Sequence, residues 1–133
     1  MPRPRKSHPT ELELEILKIL WQQGPLAVSA VRLALEQGPA QRRCAHTSVI
    51  TTLNIMVDKG YLARSEEGKA YVYEARAGEM ATKRGMLRDL VRRAFDGSAE
   101  ALLVNLLETG DIDDDELRRI RQVISRKAKE TSE

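Results

Sequence analysis

Apolar side chains between residues 10 and 23 recur at helical spacing: Leu12, Ile16, Leu17, Ile19, Leu20 and Trp21 form one wide face. Thr10 and Glu13 stand ahead of that face in capping-box spacing, and Gly24-Pro25 closes the run. A second helix is predicted from Val28 to Gln37, with Val31, Ala34 and Leu35 inward and a stop at Gly38-Pro39. A third runs from His46 to Lys59, its buried stripe being Val49, Thr52, Leu53, Met56 and Val57, with Gly60 as terminator. The period then shortens. Tyr61–Ser65 and Ala70–Ala75, rich in Tyr and Val, read as two strands, and Glu66-Glu67-Gly68-Lys69 has the length and glycine of a hairpin turn.

Three helices followed by a two-stranded hairpin is the winged-helix order, with helices two and three as a helix-turn-helix and the hairpin as wing. The predicted fold class is therefore mainly α with a small β-hairpin wing. Beyond it the pattern is again helical. In Glu79–Ala94, Met80, Leu87, Leu90, Val91 and Ala94 recur at helical spacing. Gly97-Ser98 interrupts, Ser98 can cap, and Ala99–Leu107 is apolar almost all round. Such a helix must be enclosed, and so short a chain cannot enclose it alone; a second copy of the chain is the natural cover. A last helix starts at Asp113, with Glu116 in capping-box position, Ile112 against Leu117 as staple, and a seam of Leu117, Ile120, Val123 and Ile124. The expected organisation is an arm over 1–9, a DNA-binding domain over 10–76 and a dimerisation region over 77–133. The dimer contacts are assigned to Leu87, Leu90, Val91, Leu102, Leu103, Leu106, Leu107, Leu117, Ile120 and Ile124.

Composition narrows the class. With 133 residues, 41 % apolar and 32 % charged, the chain reads as globular, with room for one domain or a small domain plus an appended element. No apolar run approaches the ~20 residues of a membrane span and no signal-peptide pattern opens the chain, so a soluble, cytoplasmic protein is expected. The single cysteine, Cys44, excludes an internal disulfide and multi-cysteine metal sites. The net charge of +2 conceals an asymmetry: residues 1–76 hold 11 Lys/Arg against 8 Asp/Glu, residues 77–133 hold 11 against 12. Arg3, Arg5 and Lys6 lie among Pro2, Pro4 and Pro9, which exclude regular helix and predict a mobile basic arm.

The third helix is where function is expected. With its apolar stripe inward, Thr47, Ser48, Thr51, Asn54, Ile55 and Asp58 point outward, with Ile50 on a flank and His46 at the start. Thr, Ser and Asn can bond base edges or phosphates, and an aliphatic side chain can meet a thymine methyl. Arg42, Arg43, Lys69 and Arg64 are the candidate phosphate contacts, with Arg3, Arg5 and Lys6 reaching the backbone or minor groove. Cys44 and His46 supply too few ligands for a zinc site; a redox role for Cys44 stays open beside Arg42 and Arg43. The acidic run from Asp111 fails as a calcium loop, because Glu116 and Gln122 stand where glycine and glutamate are required. Those carboxylates suit a helix N-terminus instead. No catalytic set, metal site or cofactor motif is found, and an enzyme is not expected.

The stretches "ELEILKILW", "HTSVITTLNIMVDKGYLAR", "GKAYVYEA" and "FDGSAEALLVNLLETGDIDDDELRRIRQVI", in that order and spacing, resemble the BlaI/MecI penicillinase-repressor family over residues 10–128. The resemblance implies a homodimeric transcriptional repressor on an inverted-repeat double-stranded operator. It also implies derepression by a membrane sensor-protease of the BlaR/MecR kind, which would cut the bond Asn105–Leu106. Leu106 departs from the Phe of staphylococcal relatives, and Ile50 and Ile55 replace recognition-helix arginines, so their operator sequence does not transfer. The cysteine cluster of the related copper-responsive branch is absent. Two other readings are a ligand-sensing winged-helix repressor that needs no proteolysis and a winged-helix protein-interaction module that binds no DNA.

Overall fold

The computed structural model describes residues 8–132. It divides into two compact units, with the break between Leu90 and Val91. The first contains α1 (Glu11–Gln23), β1 (Leu26–Ala27), α2 (Val28–Gln37), α3 (His46–Asp58), β2 (Leu62–Glu67) and β3 (Ala70–Ala75). Helix α4 (Glu79–Ala94) spans the break, and α5 (Ala99–Thr109) and α6 (Asp114–Ser132) complete the second unit. The arm residues Arg3, Arg5 and Lys6 lie outside the described residues.

Helix α1 begins as its capping box dictates: the Glu13 amide donates to Thr10 Oγ1 at 3.2 Å, and the Thr10 amide donates to Glu13 Oε1 at 2.8 Å. It ends at Gly24, whose φ of 82° no residue with a Cβ adopts cheaply. Ile16, Leu17 and Leu20 of α1 meet Val31 and Leu35 of α2 and Val49, Leu53 and Met56 of α3 in one core, which Tyr61, Leu62 and Tyr73 complete. Trp21 packs at the edge of that core and donates from Nε1 to the Ala77 carbonyl at 2.8 Å, tying the end of α1 to the segment after the wing.

The sheet has three strands in the order β1-β3-β2. Leu26 and Ala27 pair with Tyr73 and Val72, a strand too short to leave a sequence pattern. The wing ladder runs from Leu62↔Ala75 to Glu67↔Ala70. Glu66 and Glu67 therefore belong to β2 rather than to the turn, because they pair with Tyr71 and Ala70; only Gly68 and Lys69 remain as a two-residue loop. Gly68 takes φ 67°, as such a loop demands.

Two close side-chain pairs join residues far apart in the sequence, where no local pattern announces them. Lys59 Nζ sits 2.7 Å from Glu13 Oε2, with side chains only 5 % and 3 % exposed. His8 Nε2 lies 3.1 Å from Asp89, a buried residue on α4.

The second unit is built from caps and exposed apolar rows. Ser98 Oγ accepts from the Ala101 amide at 3.1 Å, and Asp113 Oδ1 accepts from the Glu116 amide at 2.8 Å, so each helix starts at its predicted cap. Neither α5 nor α6 buries a residue within the chain. Among the described residues no helix is long and apolar enough to cross a membrane.

Candidate nucleic-acid interface

Helix α3 is held by Val49, Leu53 and Met56, all buried, which leaves Thr47, Ser48, Thr51 and Asp58 exposed and Ile50, Asn54 and Ile55 half-buried. Positions 47, 51, 54 and 58 fall on one face at i, i+4, i+7 and i+11. His46 is exposed at the first residue of the helix. Two hydroxyls of the helix are already engaged: Thr51 donates to the Thr47 carbonyl at 2.8 Å and Thr52 to the Ser48 carbonyl at 2.9 Å. Thr51 therefore shows its neighbours an acceptor oxygen, with its proton turned back on the helix.

Asn54 is not simply an outward side chain. Its Oδ1 accepts from Arg64 Nη1 at 2.9 Å and from the Tyr73 hydroxyl at 3.0 Å, joining the helix to both wing strands. Arg64 also stacks its guanidinium 4.6 Å from the centre of the Tyr71 ring. Arg64 thus braces the wing against α3. Lys69 stands exposed at the wing tip, next to the exposed Glu66 and Glu67.

The two arginines before α3 part company. Arg42 bonds through Nε to Glu15 and lies 3.7 Å from Glu11, so its charge is answered by α1. Arg43 projects into solvent, 89 % exposed, with a loose pair to Glu36 at 3.5 Å. Arg43, Lys69 and the first turn of α3 are thus exposed, whereas Arg42 is half-buried against α1. Cys44 is a half-buried free thiol that packs against the core.

Residues 9–126 match the family described as penicillinase repressor. The chain belongs to that family. Members are transcriptional regulators that bind DNA, not enzymes, and this penicillinase repressor carries their winged helix-turn-helix. It is 21 % identical over 115 residues to the methicillin resistance regulatory protein MecI of Mammaliicoccus sciuri, covering 86 % of this chain and 91 % of that one. MecI of Staphylococcus aureus strain N315 is 20 % identical over the same coverage. Among solved structures, a complex of hsRosR shares the fold, with a TM-score of 0.50, 18 % identity and 92 % of each chain covered.

The groups placed in the second half of the repressor are of another kind. Leu87, Leu90, Leu103, Leu106 and Leu107 are each 46–49 % exposed. Leu117 and Ile124 are exposed as well, while Val91, Leu102 and Ile120 are half-buried. Asn105 lies inside α5, its Nδ2 donating to the Ala101 carbonyl at 2.8 Å. Sequence reasoning missed the Glu13–Lys59 pair and the Tyr73 bond to Asn54. Both join residues whose proximity exists only after the helices and the hairpin have docked.

Proposed function

We propose that this repressor acts as a homodimer on an inverted-repeat operator, its α3 helices in successive major grooves. Thr47, Ser48, Ile50, Thr51 and Asn54 face the bases. Arg43, Lys69 and His46 hold phosphates, and Arg3, Arg5 and Lys6 follow the backbone or minor groove. Arg42 and Arg64 act from behind, setting α3 and the wing. The observation that carries the dimer is the row of exposed apolar side chains on α5 and α6, Leu103, Leu106, Leu107, Leu117 and Ile124, on two helices that bury no residue within the chain. Residues 77–133 form that dimerisation region, and the protein works in the cytoplasm.

Derepression follows from a membrane sensor-protease that cuts Asn105–Leu106. That bond lies mid-helix in α5, so the helix must open locally before a protease can reach it. The test is a gel shift with the region upstream of the protein's own gene, followed by mass spectrometry of the chain after induction. A chain ending at Asn105 supports the protease. An intact chain released from DNA by a small molecule establishes the ligand-sensing alternative, and no salt-sensitive shift at all leaves the protein-interaction module.

A further inference from the structure

The amide of Asn54 is gripped by one end. Its Oδ1 receives two hydrogen bonds, from Arg64 and from the buried Tyr73 hydroxyl, and these fill both lone-pair directions. A guanidinium has no acceptor, so the atom facing Arg64 must be the carbonyl oxygen; a turned amide would set N–H against N–H. Arg64 and Tyr73 are directly paired across the wing ladder, and Arg64 is further held over Tyr71, so the two donors reach Asn54 as one unit. Nδ2 makes no hydrogen bond among the described residues. No buried side-chain nitrogen or oxygen there lacks a partner, so Nδ2 is open to solvent, on the helix face that carries Thr47 and Thr51.

We propose that Asn54 meets DNA as a donor only and selects guanine, and that Arg64 and Tyr73 are positioning residues that deny it adenine. A free amide reads adenine by donating to N7 and accepting from the N6 amine. With Oδ1 filled, the second bond cannot form. Guanine presents N7 and O6, two adjacent acceptors, to the two hydrogens of Nδ2; thymine presents one acceptor and cytosine a donor. Preference therefore resides in the wing as well as in the recognition helix. The inference rests on the operator-binding reading above.

The experiment is selection from a random duplex pool by the full-length protein, by Asn54→Ala and by the double variant Arg64→Ala/Tyr73→Phe. The wild type is expected to enrich one guanine per half-site. That enrichment falls by about tenfold in Asn54→Ala, with the neighbouring preferences retained. In the double variant, adenine at the same position rises to equal or exceed guanine, because Oδ1 is released. Adenine at the Asn54-dependent position in the wild type overturns the inference, and so does an Asn54→Ala profile identical to the wild type. Those two arms decide even where the double variant does not fold; a folded double variant that still prefers guanine also overturns it. In each of these cases an enriched inverted repeat leaves the repressor reading intact. Failure of the wild type to enrich any sequence removes both.

Discussion

Lys59 and Glu13 place a charge pair inside the winged-helix core, 46 residues apart in sequence. Burial pushes the Glu13 carboxyl up, but the hydrogen bonds from Lys59 and Thr10, with the Lys59 charge, outweigh it and hold the group below its ordinary 4.5. A carboxyl depressed in the folded state contributes stability that is complete above the unfolded value and is lost as pH falls through the folded one. Urea unfolding should show the wild type losing this contribution below about pH 4.5, while Glu13→Gln keeps a flatter profile there. At pH 7, Glu13→Gln should cost about 3–5 kcal/mol, because Lys59 is left buried without its carboxylate. Replacing both, Glu13→Leu with Lys59→Met, should recover most of that loss. A Glu13→Gln deficit unchanged between pH 7 and pH 3 contradicts the assignment. On the DNA side, Asn54→Ala should weaken specific binding by about 1–3 kcal/mol and leave non-specific binding nearly intact in filter assays. Equal losses on both DNAs would remove its base-reading role.

Elements were legible where their signals are local. Thr10 with Glu13, Ser98, and Asp113 with Glu116 mark helix starts within four residues, and each cap forms. The α3 stripe is legible from spacing alone in Val49, Leu53 and Met56, which are buried, while Thr52 and Val57, expected in the same stripe, are half-buried. Strand β1 has two residues, below any periodicity, and exists because β3 offers it an edge. The four residues Glu66–Lys69 have the length and glycine of a hairpin turn, yet the tighter Gly68-Lys69 loop draws Glu66 and Glu67 into the ladder. The orientation of Asn54 depends on the register that sets Arg64 opposite Tyr73, which the chain pattern does not encode locally. The wing tip is testable by itself. A methyl group at Gly68 meets nothing within 4 Å, so Gly68→Ala carries only the left-handed backbone penalty, about 1–2 kcal/mol by thermal unfolding. A much larger loss would show that the loop packs against something.

For the whole molecule, the exposed leucines support the proposed dimer and the charge asymmetry supports the proposed use of α3. One half is basic and presents α3; the other is close to neutral and presents apolar rows. Leu103→Asp should shift sedimentation from dimer towards monomer and weaken operator binding, since two half-sites are then engaged separately. A stable dimer in that variant would exclude Leu103 from the interface. If the dimer neutralises roughly 6–8 phosphates, log affinity should fall with log salt at a slope of about −5 to −7. A slope near zero would mean that contact with DNA is not electrostatic.

The bond from Trp21 to Ala77 has a practical side. The chain has a single tryptophan, and its indole N–H is anchored to the carbonyl just before α4 begins. The repressor thus carries its own fluorophore at the junction between wing and α4. Emission from the unlabelled protein, followed during addition of operator or inducer, reports in real time whether that anchor holds or lets go.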